Sequence, residues 1–529
     1  MSDPTAPATP DLPRISDYPG YWAQRFPERE ALVLNHSRIT YALLSTLIDR
    51  CAAALVNKGV KPGDRVAMLS TPRPEFLIVF LATVRIGAVW LGLNPKYTLG
   101  ELKYVVGDAQ PVLLISPAAI DGRPFGDEAH ELAGEFPSIR EVIVLDLTDE
   151  FVEQAFQPLM DLAAGPEQAR IEAVQASDAA LLVYTSGTTG RPKGALLPHR
   201  GLVHCSRIQR DHLRADPLRV LNNLPVNHVG CVGDICSYTL VSGGTIVFAE
   251  RFDPASTGPL LLRERITMWG QVPTMFQLTL DHPGFHASMA ASVQEIAWSG
   301  AMCPEDLVRR LHAICPTLRS FYGMTETVGS VVYSDPDASL DDLARTIGKP
   351  DPRYDVRIAD PDGHPVSRGE SGEVQVRGDF LMKGYLNKPE ATQQAFTPEG
   401  WLRTGDAAVE EDDGQYRLIG RLREMFKSGG YNVYPREIEI ALEAHPAIAT
   451  VAVIATPDRL YHEVGTAFYV TKPGHECDAT ELRSFCRERL ANYKIPKHFR
   501  RLERVPMLPI GKVDRSELKR EACRLAGAS

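Results

Sequence analysis

Ten residues from Thr185 to Gly194, "TSGTTGRPKG", hold three glycines, four hydroxyl side chains, one proline and two cations. Such a stretch buries little apolar surface. Glycine lets a backbone approach a ligand closely, and successive amide N–H groups can form a concave anion site. The hydroxyls of Thr185, Ser186, Thr188 and Thr189 add donors, and Lys193 adds a positive charge. The chemistry these residue types point to is polyphosphate binding. By composition alone the stretch also fits a solvated loop. It is not a phosphate loop of the G-x-x-x-x-G-K-[ST] type, because Pro192 precedes Lys193 and Gly194 follows it. Nor does Ser186 sit in a G-x-S-x-G nucleophile elbow.

Four further strings follow in order: "FYGMTET" (321–327), "GWLRTGD" (400–406), "GRLREMFKSGGYNVYPREIE" (420–439) and "GKVDR" (511–515). With "YTSGTTGRPKG" (184–194) they resemble the signatures of the adenylate-forming superfamily of acyl-CoA synthetases, peptide-synthetase adenylation domains and firefly-type luciferases. The resemblance runs over nearly the whole chain. It implies an ATP- and Mg²⁺-dependent enzyme that converts a carboxylate and ATP to an acyl-adenylate and pyrophosphate, then transfers the acyl group to a thiol. A luciferase-like monooxygenase and a non-catalytic nucleotide-binding relative share the signatures and stay open.

The resemblance also implies residue roles. Thr185, Ser186, Gly187, Thr188, Thr189, Gly190 and Lys193 would cradle the β- and γ-phosphates. In "YGMTE", Tyr322 would stack on adenine beside Gly323 and Met324, Thr325 would hold the α-phosphate, and Glu326 would be the Mg²⁺ ligand. A hard cation wants oxygen ligands and keeps several waters, so one carboxylate plus phosphates suffices. Asp406 would accept from both ribose hydroxyls, since a carboxylate can serve two donors. Arg421 would also reach the nucleotide, and Lys512 would be the catalytic lysine. Arg423 stands at the hinge, where relatives carry Asp or Lys. A hinge needs changing backbone dihedrals rather than a particular charge. Gly429, Gly430 and Tyr431 would line the tunnel for coenzyme A, and no carrier-protein site is present.

"LPVNHVGCVGDI" (224–235) is similar to the segment lining the acyl site. Amino-acid-activating relatives have an Asp there for the α-ammonium group. Here stand Asn227, His228 and Val229, which argues against an amino-acid substrate and makes His228 a candidate gate. In "IAWSGAMCP" (296–304), Gly300 and Ala301 would leave room for the nucleotide, with Gly300 also beside the acyl group. Trp298 would shorten the acyl tunnel or stack on a ring; core packing is the alternative. The pattern leans to aromatic or short-to-medium acids, with fatty acids second.

These residues need elements to hold them. At 529 residues the chain exceeds the roughly 250–300 at which single cores stop growing, so several domains are expected. "DRVAMLS", "PVLLIS", "EVIVLD" and "AALLVYT" read as buried strands, and "ITYALLSTLIDRCAAALVNKGV" as an amphipathic helix closed near Gly59. Their alternation predicts an α/β fold with largely parallel sheets. From about Ile358 the pattern becomes antiparallel β, and after Gly420 it becomes helix, strand, strand, helix. The expected architecture is a large N-terminal domain (1–421) of layered α/β sheets plus a β subdomain, a hinge (422–424), and a small mobile α+β C-terminal lid (425–529).

"FLIVFLATVRIGAVWLGL" (76–93) is the most apolar run, but Arg85 at its centre predicts a buried helix and strand rather than a membrane span. The N-terminus lacks the apolar segment of a signal peptide. Net charge is −10 and no long basic tract occurs, which argues against a nucleic-acid partner. Nine cysteines show no C-x-x-C pair, which suggests reduced thiols in the cytosol. Small-molecule substrates and a homodimer complete the expectation.

Overall fold

Leu44, Leu47, Ile48, Cys51 and Leu55 recur at three- and four-residue spacing, and the helix Tyr41–Asn57 buries them. The Thr40 hydroxyl caps its first turn by accepting from Leu43 N–H, and Gly59 turns the chain away at φ +75°. The apolar run predicted as helix and strand is the helix Pro74–Arg85 followed by the strand Val89–Leu93. Both are buried in protein, and Arg85 pairs with Asp49 at 2.8 Å. Among the described residues no helix is long and apolar enough to cross a membrane.

This computed structural model describes residues 9–151, 153–160, 174–185, 192–428, 430–507 and 513–527. The described residues divide between two compact units. The first lies within Met1–Ala301, Leu311–Asp337 and Arg377–Phe396; the second lies within Met302–Arg310, Ala338–Val376 and Thr397–Ser529.

Two sheets build the first unit. One runs in the order Gly384–Tyr385, Lys193–Pro198, Ala179–Thr185, Val89–Leu93, Arg65–Leu69, Leu113–Pro117, Glu141–Leu145. Its last five strands are parallel, and the others close it antiparallel. The other places Leu318–Gly323, Glu295–Trp298, Met268–Gln271, Arg219–Asn222, Thr245–Phe248 and Glu30–Leu34 side by side in parallel. The strand Ser330–Tyr333 returns antiparallel beside Leu318–Gly323. The predicted short apolar runs are therefore strands buried between helices, as parallel sheets require.

The second unit holds a sheet of Asp355–Ala359, Ser371–Arg377, Leu402–Glu410 and Tyr416–Arg421, which answers the predicted β texture. It also holds a five-stranded sheet in which Ile448–Asp458 pairs antiparallel with His462–Thr471, and His498–Arg501 joins in parallel. The helices Pro435–Glu443 and Ala479–Arg487 pack on this sheet. Phe426, Ile438, Leu442, Val453, Leu482 and Phe499 share one core, so the chain beyond the expected hinge buries apolar surface of its own.

Candidate active site

Thr185 and Lys193 are ladder partners where the strands Ala179–Thr185 and Lys193–Pro198 run antiparallel. The Thr185 hydroxyl donates to the Lys193 carbonyl at 3.4 Å. The two ends of the glycine-rich stretch are thus held together by β pairing. Ser186, Gly187, Thr188, Thr189 and Gly190 lie outside the described residues. Lys193 itself is half-buried, with Nζ 5.2 Å from the centre of the Tyr385 ring. That face of a phenol ring attracts a cation.

Tyr385 connects this cation to the second signature. Its hydroxyl donates to Glu326 Oε1 at 2.7 Å, and the Glu326 carbonyl accepts from Met382 N–H. Glu326 is 5% exposed. A buried carboxylate needs a donor or a cation, and Tyr385 supplies one charge-assisted bond. The turn that presents Glu326 is tightly specified. Tyr322 is buried and pairs with Val332 across the antiparallel ladder. A side chain on Gly323 would come within 2.1 Å of the Gly329 carbonyl oxygen, so only glycine fits. Met324 N–H donates to Thr327 Oγ1, which in turn donates to the Gly329 carbonyl. Thr325 and Glu326 form a single turn that Val328 ends at φ +65°. A β-branched residue in that region is strained, a feature concentrated at functional sites.

Glu326 fits Mg²⁺ by its chemistry, as a hard oxygen donor held at one carboxylate oxygen by Tyr385. Among the described residues, no group of three or more His, Cys, Asp and Glu could hold a metal by itself. The arrangement therefore suits an ion shared with phosphate oxygens rather than a closed protein cage.

His228 is half-buried, and its Nδ1 accepts from Gly230 N–H at 3.0 Å, which puts the ring proton of the neutral form on Nε2. It introduces a π-helical segment, Gly230–Cys236, a geometry common at functional sites. Trp298 ends the strand Glu295–Trp298 and is 1% exposed. That strand is pinned at its start by the buried pair of Glu295 and Arg319, at 3.0 Å. Gly300 follows in the left-handed region at φ +81°, and Gly300 and Ala301 are both exposed.

In the second unit, Asp406 and Arg421 are ladder partners, and Arg421 Nε meets Asp406 Oδ1 at 2.7 Å. Arg421 also donates to the Thr404 carbonyl, while Asp406 N–H donates to Thr404 Oγ1. Arg423 is exposed in the turn after Tyr416–Arg421. Gly430 takes φ +89°, and Tyr431 is 58% exposed with its ring stacked 4.4 Å from that of Tyr493. Gly429 and Lys512 lie outside the described residues.

Sequence reading missed three features. Tyr385 belongs to no signature, and only the pairing of Gly384–Tyr385 with Lys193–Pro198 brings it to Lys193. Asp234, inside the π-helical segment, is pushed up to about 7 by burial, against a lowering hydrogen bond from Gln209. Gln271 is the ladder partner of Trp298. The signal for Asp234 was legible as an acid in an otherwise apolar run, "GCVGDIC".

The model of the AMP-binding enzyme family matches residues 21–386, and that of the AMP-binding enzyme C-terminal domain matches 437–512. A feruloyl-CoA synthase of an Amycolatopsis species is 34% identical over 507 residues, covering 96% of this chain and 98% of its own. An indoleacetate–CoA ligase of Aromatoleum aromaticum is 33% identical over 512 residues, covering 96% of each chain. The o-succinylbenzoate–CoA synthetase of Bacillus subtilis, solved with its acyl-adenylate intermediate, superposes with a TM-score of 0.81 at 28% identity, covering 95% of this chain and 97% of its own.

Proposed function

The chain belongs to the family of AMP-binding enzymes, and we propose that the acid it activates carries an aromatic ring. The enzyme is an AMP-forming acid–CoA ligase that uses ATP, Mg²⁺ and coenzyme A. In the first step a carboxylate oxygen attacks the α-phosphorus of ATP and the bond to pyrophosphate breaks. In the second the coenzyme A sulfur attacks the acyl carbon, the bond to AMP breaks, and the thiol proton leaves to solvent. The luciferase-like and non-catalytic alternatives are not favoured, since the relatives are CoA ligases.

In this reading Glu326 holds Mg²⁺, which neutralises charge on the phosphates, and Tyr385 orients Glu326. Lys193 and the segment 185–190 receive the β- and γ-phosphates, and Thr325 the α-phosphate. Tyr322 takes adenine, with Gly323, Met324, Gly300 and Ala301 beside the nucleotide. Asp406, oriented by Arg421, receives the ribose hydroxyls. Lys512 stabilises the charge that builds between carboxylate and α-phosphate. Residues 425–529 turn about 422–424 between the steps, which brings Gly429, Gly430 and Tyr431 to the pantetheine arm. His228 gates the acyl site and Trp298 lies along the acyl group.

The observation that carries the aromatic reading is Trp298, a large ring almost wholly buried at the end of its strand. In this reading its bulk limits the depth of the acyl site. The relatives named for feruloyl and indoleacetate groups support the same class. A cytosolic setting, where the buried thiols stay reduced, and a homodimer belong to the proposal. Pyrophosphate release over a panel of carboxylic acids, with and without coenzyme A, tests it. Faster turnover of straight-chain fatty acids than of any aryl acid overturns the aromatic assignment.

A further inference from the structure

We propose that the acid bears an uncharged oxygen function, a hydroxyl or carbonyl, remote from its carboxylate, and that Gln271 and Trp298 bind it. The proposal rests on the reading that the acyl group lies along Trp298. The strands Met268–Gln271 and Glu295–Trp298 run parallel, in a register that pairs Gln271 with Trp298. Residues paired in a parallel ladder project to the same face. The carboxamide and the indole are therefore neighbours at the C-terminal ends of their strands, the edge at which open α/β sheets receive ligands.

Both side chains are buried, Gln271 to 4% exposure and Trp298 to 1%. Neither polar end of Gln271, Nε2 or Oε1, has a hydrogen-bond partner among the described residues, and neither has Trp298 Nε1. Buried side-chain polar groups are nearly always paired, and a carboxamide has two donors and an acceptor to satisfy. The next strand adds a third such group. Asn223 directly follows the neighbouring strand Arg219–Asn222, whose Val220 pairs with Met268. Asn223 is 5% exposed, and its Oδ1 also has no partner among the described residues.

The ends of neighbouring strands thus offer a donor–acceptor and a donor side by side, with a further acceptor on the residue after the next strand. A plain hydrocarbon or unsubstituted ring would leave all of them unmet. A ligand oxygen can accept from Trp298 Nε1 and Gln271 Nε2, and a hydroxyl can also donate to Gln271 Oε1. A site built to bond such a group rejects the analogue that lacks it, because the protein groups are then stranded in an apolar pocket.

Matched acids differing only in the distal oxygen provide the test. One pair is 3-phenylpropanoic acid and its 4-hydroxyphenyl analogue; an aliphatic set is octanoic, 8-hydroxyoctanoic and 7-oxooctanoic acid. Pyrophosphate release gives kcat/KM for each. The oxygen-bearing member is expected to lead by at least about tenfold in one of the sets. Gln271→Leu should shrink that lead to within about threefold, and Trp298→Phe, which deletes only the N–H and one ring, should shrink it in part. Gln271→Leu should also leave Tm unchanged or raise it, because it removes a buried unpaired carboxamide. Equal use of both members in every set, or a Gln271→Leu variant with lower Tm and an intact preference, overturns the proposal. A lead confined to the aliphatic set, with those acids turned over faster than any aryl acid, would overturn the aromatic assignment and leave this one standing.

Discussion

Replacing Asp406 by alanine separates a nucleotide-binding role from a structural one. If the carboxylate accepts both ribose hydroxyls, its loss removes two charge-assisted hydrogen bonds worth about 1.5–3 kcal/mol each, or about 3–6 kcal/mol in total. Each 1.4 kcal/mol is a factor of ten, so kcat/KM for ATP should fall by about 10²–10⁴-fold. The structural cost is much smaller. The Arg421 side chain, left without its 2.7 Å partner, is 38% exposed and keeps its bond to the Thr404 carbonyl. A half-exposed guanidinium can turn to water, so the lost pair should cost no more than about 1 kcal/mol. In a chain of this size that shifts Tm by no more than about 3 °C. Initial rates of pyrophosphate release over an ATP titration, with calorimetry on the same protein, give both numbers. An unchanged kcat/KM would refute the ribose role. A fall in Tm of ten degrees or so, on the scale cited, would show that the pair serves the fold instead.

Lys512→Ala should slow acyl-adenylate formation by about 10²–10³-fold while leaving most thioester formation from a supplied acyl-adenylate, if the lysine serves only the first transition state, as proposed above. Arg423→Pro should do the reverse, since a fixed φ restricts the turn between steps; equal losses in both half-reactions of the lysine variant would sink the two-conformation mechanism. Tyr385→Phe should lower kcat/KM for ATP by at least about tenfold, the worth of one charge-assisted bond to Glu326, and raise the Mg²⁺ concentration for half-maximal rate. A lowered Tm with an unchanged Mg²⁺ response would make Tyr385 purely structural. Asp234 should set a pH-dependent term in stability. Its carboxyl is raised from 3.8 to about 7, so between those values the native state holds a proton that the unfolded chain releases. Its contribution to stability is present below the unfolded value and lost as pH rises through 7. Buried His199, lowered from 6.5 to about 4, acts oppositely, with stability gained as pH rises through that window. Asp234→Asn should therefore flatten the fall in Tm from pH 5 to pH 8 relative to the parent, and identical profiles would refute the assignment.

The strings "YTSGTTGRPKG", "YGMTE", "TGD" and "GKVDR" lie in the primary sequence because each is a local device: a glycine-rich stretch, a tight turn, a carboxylate next to a glycine, a lysine next to a glycine. Their chemistry depends on residue types a few positions apart, and so does the spacing that made Tyr41–Asn57 a helix and Ala179–Thr185 a strand. The sequence was silent where the deciding contact joins distant segments. Tyr385 stands between Lys193 and Glu326 because a two-residue strand adds to the edge of a sheet, an event that no periodicity announces. Gln271 became a candidate when the parallel register set it beside Trp298. Asp234 is visible as an acid, but its raised pKa comes from burial that only packing creates. Local backbone preference is written residue by residue; strand order, register and burial arise from which distant surfaces meet, and those meetings set which polar groups find a partner in the protein and which must find one in the substrate.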